Sequence, residues 1–123
     1  EINDELREKS KKHPQFGCCL LTLIDPQRTL PFYHEVIKAI LHHHERFDGT
    51  GYPYQLKGQE IPFLSRFITI IDSFEVMWHR THSKENARGQ KFTIRQAITT
   101  LREKDAGKQV DPDLIEKIYK ILS

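Results

Sequence analysis

Between Phe63 and Trp78, apolar side chains recur at helical spacing. Phe63, Phe67, Ile70, Phe74 and Met77 form one stripe, with Leu64, Ile68, Ile71 and Trp78 beside it. No other stretch is as hydrophobic, so this segment is expected to be the central helix on which the others pack. Ile61-Pro62 opens it, and it is expected to reach His79 or beyond.

The remaining punctuation also signals helices. Asn3 or Asp4 can cap a polar helix to about Lys12, acidic early and lysine-rich late, as the helix dipole favours. Pro14 biases His13 away from helical geometry and suits the first turn of a second helix, which carries the apolar run to about Ile24. Asp25-Pro26 is a stop. A third helix is expected over 31–44, with Tyr33, Val36, Ile37, Ile40 and Leu41 at helical spacing. Residues 45–62 hold three glycines and two prolines and read as an ordered loop. Residues 83–91 read as a polar loop. Thr93 caps a fifth helix to about Lys104, and Asp111-Pro112 opens a sixth to about Leu122. No strand pattern survives over more than a few residues. The fold class expected is all-α, five to six helices in a single domain over 1–123.

Composition excludes several function classes. The chain has 123 residues and a formal charge of +2, which gives no general argument for DNA or an anionic membrane. Its apolar runs, 18–24 and 67–71, fall far short of the roughly 20 residues that span a bilayer. No basic n-region followed by an apolar h-region opens it, so no secretion signal is expected. Cys18 and Cys19 are adjacent and read as buried thiols in a reducing, cytoplasmic compartment. The chain begins at Glu1 and its one methionine is Met77, as expected of a piece of something longer.

His42, His43 and His44 close the third helix. The buried stripe continues onto His43 and His44, whereas His42 continues a polar row towards water. Two inward imidazoles need partners, which a metal or nearby carbonyls and carboxylates could supply. Asp72 borders the apolar stripe of the fourth helix and needs a cation, either Arg66 or a metal. His13 sits at a helix junction with Gly17 one turn on, where a small residue allows close approach. After the histidines, Gly49 and Gly51 permit a tightly folded backbone with one of them at positive φ. Tyr52 offers a ring able to stack on a base from the cavity rim. Glu45 and Asp48 are placed to orient the imidazoles.

The string from His43 through Glu45, Arg46, Phe47, Asp48, Gly49, Thr50 and Gly51 to Tyr52-Pro53 resembles the signature of HD-GYP domains. These are helical, metal-dependent phosphodiesterases that hydrolyse the bacterial second messenger cyclic di-GMP. Lys12-His13-Pro14, Glu60-Ile61-Pro62 with Arg66 and Asp72, and Gly107 with Asp111-Pro112 and Leu114 extend the likeness. The resemblance implies that His13, His43 and His44 ligate one metal of a two-metal centre and Asp72 the other. It places Tyr52 near the dinucleotide and Lys84 facing phosphate, with Gly51 and Arg66 also among the substrate-binding residues. A divalent transition metal, iron or manganese, suits a nitrogen-and-carboxylate set better than structural zinc. Three differences stand beside the likeness. The family's His-Asp pair would lie upstream of His13 and is not in this sequence, Thr81-His82-Ser83 replaces the usual Arg-Pro-Tyr, and Glu75 replaces a second Asp. The chain by itself is therefore expected to be incomplete for catalysis. A second reading is a non-catalytic signalling module binding nucleotide or a partner such as a GGDEF-domain protein. A third is a helical domain whose histidines only pack.

Overall fold

The structure, a computed structural model, describes residues 4–82 and 93–122. Among them are six α-helices: α1 (Asp4–Ser10), α2 (His13–Ile24), α3 (Tyr33–His42), α4 (Phe63–His82), α5 (Ile94–Lys104) and α6 (Pro112–Ile121). A 3-10 turn, Gly58–Glu60, precedes α4. The all-helical expectation holds for these residues. The loop expected at 83–91, Lys84 included, lies outside them.

Helix α4 is the shared spine. It packs on α3 along one side and on α5 along another, while α2 packs on α3 and α6 on α5. The apolar core lies where α4, α5 and α6 meet: Ile70, Ile98, Leu101, Val110 and Ile115 are buried there, with Phe74 and Met77 packed against them. The expected caps form. Thr93 Oγ1 accepts the Gln96 N–H at 3.2 Å, and Asp111 Oδ1 accepts from the N–H groups of Asp113 (2.8 Å) and Leu114 (3.2 Å).

Three expectations need correction. The stripe of α4 is not buried along its length, since Phe63 and Phe67 are 55% and 39% exposed and Leu64 and Ile71 are also exposed. What meets α3 is the small polar side instead. Ser65 donates to the Lys38 carbonyl (3.2 Å) and Thr69 to the His43 carbonyl (3.0 Å). Small hydroxyls permit this approach, and the aromatic side is turned away. Helix α3 starts at Tyr33 rather than Pro31 because Phe32 takes a left-handed φ of 58°, which interrupts the ladder. Finally, Cys18 is half-buried and Cys19 exposed, because α2 turns Cys19 to its outer face with Phe16, Leu20 and Leu23.

The turn between α2 and α3 is built on one carboxylate. Asp25 Oδ1 accepts from the Thr29 N–H (2.9 Å) and hydroxyl (2.8 Å), and Oδ2 from the Leu30 N–H (2.9 Å). These backbone donors hold its pKa below the ordinary carboxylate value. Asp25→Ala should therefore lower the thermal midpoint at pH 7. The depressed pKa means the carboxylate stabilises the fold above its unfolded value of about 3.9 and ceases to do so as pH falls through the folded value. The gap in midpoint between wild type and variant should accordingly close in acid, measured by circular dichroism melts from pH 7 down to pH 2. A gap that persists undiminished would contradict this role.

Candidate metal centre

Three imidazoles from two elements converge. His13 opens α2, and His43 and His44 form the turn that ends α3. Their Nε2 atoms meet: His13 to His43 at 3.3 Å and His13 to His44 at 3.0 Å. One ligand atom from each lies within 4.8 Å of the others.

The other ring nitrogens explain why they meet this way. His13 Nδ1 lies 2.7 Å from the Ser10 carbonyl, and His43 Nδ1 lies 2.6 Å from the Ile40 carbonyl. Each carbonyl belongs to the last turn of a helix, where backbone oxygens lack ladder partners. A carbonyl only accepts, so each Nδ1 carries the hydrogen and each Nε2 keeps its lone pair. Two such lone pairs 3.3 Å apart repel unless a cation lies between them. Nitrogens bound about 2.0–2.1 Å from a transition metal stand about 3.0–3.4 Å apart, which matches these separations. The donor set fits a metal. His44 is also kept neutral, since burial, then the charges of His43 and His13, lower its pKa to about 4.

Close packing sets the geometry. A Cβ on Gly17 would sit 2.8 Å from Ile40 Cγ2, so glycine lets α2 approach α3 one turn from His13. The Thr69 hydroxyl on the His43 carbonyl ties the end of α3 to α4. The loop then wraps back on itself. A Cβ on Gly51 would lie 2.3 Å from the Arg46 nitrogen and 2.5 Å from the His44 oxygen, so only glycine fits there. Gly49 is the glycine with positive φ, at 82°. The Tyr52 N–H donates to the His44 carbonyl (3.2 Å), and its ring stacks on that of His44 with centroids 4.9 Å apart. Tyr52 is half-buried in the wall of an open cavity of about 860 Å³, and burial pushes its phenol pKa up.

The other expected residues fall in different places. Asp72 lines the same cavity, on the α4 side that carries Ser73 and Val76. It is exposed and outside the imidazole group, so no cation is needed to offset its burial. Arg66 is not its partner. Its Nη1 donates to Asp111 Oδ2 and its Nε to the Ile61 carbonyl (3.0 Å), tying the start of α4 to the start of α6 away from the cavity lining. Glu45 and Asp48 do not orient the imidazoles, whose Nδ1 positions on His13 and His43 are taken by carbonyls. Buried Glu45 instead accepts the Tyr54 N–H (2.7 Å) and Leu56 N–H (3.0 Å) and organises the loop. Asp48 accepts the Thr50 N–H (2.9 Å) and hydroxyl (2.6 Å). His42 is half-buried rather than turned out to water. It packs on Tyr54, with Nδ1 buried and 3.9 Å from Glu45, because the chain turns at His43 and the loop covers that side. Sequence reasoning passed over Thr69, whose signal was the spacing Ser65, Thr69, Ser73, a hydroxyl row at helical period.

A family model described as HD domain matches residues 1–114. A cyclic di-GMP phosphodiesterase of Thermotoga maritima is 31% identical over 120 residues, covering 98% of this chain and 30% of that protein. The cyclic di-GMP phosphodiesterase response regulator RpfG of Xanthomonas campestris pv. campestris is 29% identical over 120 residues, again 98% of this chain and 29% of the relative. The chain thus spans about a third or less of the length of these curated relatives. In fold it is similar to a crystal structure of a cyclic GMP-AMP specific phosphodiesterase of Vibrio cholerae (V-cGAP3), with a TM-score of 0.66 and 21% identity over 92% of this chain and 24% of that one.

Gly51→Ala should cost about 1–3 kcal/mol of stability, because the added methyl meets backbone on three sides and the loop must shift. The shift moves the His44 carbonyl and hence the imidazole. Manganese affinity, read by titration calorimetry, should fall about 10-fold or more, in the range seen when groups supporting metal ligands are lost. Unchanged manganese affinity would show that the loop does not set the ligand geometry.

Proposed function

The chain belongs to the HD domain family, and we propose that it is the metal-binding part of a phosphodiesterase that hydrolyses cyclic di-GMP. The observation that carries the reading is the meeting of three imidazole Nε2 atoms at the edge of an open cavity, with two of the imidazoles, His43 and His44, in its wall. Names of relatives that cover nearly the whole chain support the substrate.

His13, His43 and His44 would hold one divalent metal, and Asp72, on the cavity wall, would serve a second. Three nitrogens and a carboxylate without thiolate suit iron or manganese better than structural zinc. A bound metal of this kind supplies an acidified water and polarises a phosphoryl oxygen. The protein's own contribution is positional. Carbonyl bonds at Ser10 and Ile40 keep two lone pairs inward, and burial keeps His44 unprotonated at neutral pH. Tyr52 walls the cavity beside His44, where its ring also meets a bound base. Among the described residues, His13, His43 and His44 are the only three-ligand group, so a second metal would be held weakly by those residues alone. No described helix is long and apolar enough to cross a membrane. GGDEF-domain proteins, as makers of the same dinucleotide, are the proposed protein partners, and the reducing cytoplasm the proposed setting.

The test is hydrolysis of cyclic di-GMP with added manganese or ferrous iron, followed by chromatography. The 123-residue chain should bind the dinucleotide and turn it over orders of magnitude more slowly than a two-metal enzyme, because one metal site cannot align water and phosphate alone. His13→Ala should abolish the residual turnover. Fast metal-dependent hydrolysis that survives His13→Ala would refute the assignment of the site. Binding with no turnover under any metal would favour a nucleotide-binding signalling module.

A further inference from the structure

Three arginines in the described structure donate to another side chain, and they divide in two. Arg66 donates to the Asp111 carboxylate, and Arg102 Nε donates to Glu116 Oε2 at 2.5 Å, so each positive charge is neutralised by its partner. Arg46 differs. Its Nη1 donates to the neutral amide oxygen of Gln109 at 3.0 Å. The nearest carboxylate oxygen, Asp48 Oδ1, lies 3.8 Å from Arg46 Nε and is already accepting from Thr50. Arg46 lines the cavity beside His44 and Tyr52, and 38% of its side chain is exposed. A guanidinium whose bonded partner is a neutral amide and whose carboxylate partner stands off at 3.8 Å is neutralised less than Arg66 or Arg102 and keeps more of its charge for an incoming anion.

Gln109 is itself fixed from several sides. Its Nε2 donates to Ser73 Oγ at 2.8 Å, and the Ser73 hydroxyl donates onward to the Thr69 carbonyl at 2.7 Å. The Gln109 carbonyl accepts the Phe47 N–H (3.2 Å), and the neighbouring Lys108 carbonyl accepts the Asp48 N–H (2.8 Å). The turn between α5 and α6 is thereby stitched to the loop on both sides of Arg46. One amide side chain thus connects the loop, α4 and that turn, spending its oxygen on Arg46 and its nitrogen on Ser73.

We propose that Arg46 is the phosphate-binding residue of this cavity and that Gln109 is the positioning residue that presents it. The inference rests on the phosphodiesterase reading for its ligand, a phosphate group of the substrate. It replaces Arg66, whose charge is committed to Asp111.

Gln109→Glu separates this role from a merely structural one. The side chain keeps its size and still accepts from Arg46, but it now neutralises the guanidinium, and it loses the N–H that Ser73 accepts. The probes are cyclic di-GMP and inorganic pyrophosphate, titrated calorimetrically into manganese-loaded wild type, Gln109→Glu and Arg46→Gln. The metal is common to all three proteins, so ratios of affinity isolate Arg46. Both variants should weaken both probes about 10-fold, and the salt dependence of pyrophosphate binding should become shallower in both. As a control, Ser73→Ala removes the Ser73–Gln109 bond without altering charge and should leave pyrophosphate affinity unchanged, and a comparable fall there would overturn the proposal. A structural role alone predicts unchanged pyrophosphate affinity in Gln109→Glu, and that result would overturn the proposal. If Gln109→Glu fails to fold, Arg46→Gln with the salt dependence decides. If pyrophosphate responds as expected but wild type does not bind cyclic di-GMP, the phosphate site stands and the dinucleotide reading falls. If cyclic di-GMP binds all three proteins equally, the reading stands and the Arg46 site falls.

Discussion

The site depends on how closely α2 approaches α3. His13 is carried by one helix and His43 and His44 by the end of the other, so the distance between their imidazoles is the distance between helices. Gly17 sets it, because any larger residue would meet Ile40 at 2.8 Å. Once the helices are that close, the frayed ends do the rest. The carbonyls of Ser10 and Ile40 have no ladder partners, and they draw the Nδ1–H groups outward. The Nε2 atoms are left facing one another, an arrangement that a bound metal ion relieves for all three at once.

The loop after His44 extends the same logic to the cavity wall. It is not held by apolar packing. A buried carboxylate, Glu45, gathers two backbone N–H groups from the far side of the loop, and Gly51 lets the returning chain lie directly on the His44 backbone. A buried carboxylate is tolerated there because its oxygens are matched by donors. The consequence is that Tyr52 is pressed against His44, and the wall and the ligand set move as one unit.

Polar groups also decide which face of α4 does what. From Ile70 onward the helix joins the apolar core with α5 and α6, Phe74 and Met77 packing there too, as its hydrophobic stripe suggests. Its first half meets α3 through Ser65 and Thr69 and leaves Phe63 and Phe67 exposed. Hydroxyls bonded to carbonyls of the neighbouring helix bring backbones nearer than phenyl rings would. Thr69 thereby fastens the His43 turn to the spine of the fold.

Helix number, most boundaries and the caps at Thr93 and Asp111 were legible in the sequence, because they follow from local periodicity and local hydrogen bonding. The helical period set His43 and His44 inward, but it was the likeness to HD-GYP domains that joined His13 to them, and the structure brings the three together. Partner choice was not legible. Arg66 and Asp72 stand on one helix at plausible reach, yet Arg66 lies against Asp111, 45 residues away in the chain. Glu45 and Asp48 lie beside the histidines in sequence and bond the loop instead, and His42, on the polar row of its helix, is half-buried under that loop. Arg46 and Gln109 meet across 63 residues. Periodicity tells which side of a helix is apolar, but it carries no information on which distant backbone arrives there. The charged and polar groups settle their partners only after the helices have docked, since a hydrogen bond is decided by tenths of an ångström that tertiary packing alone sets.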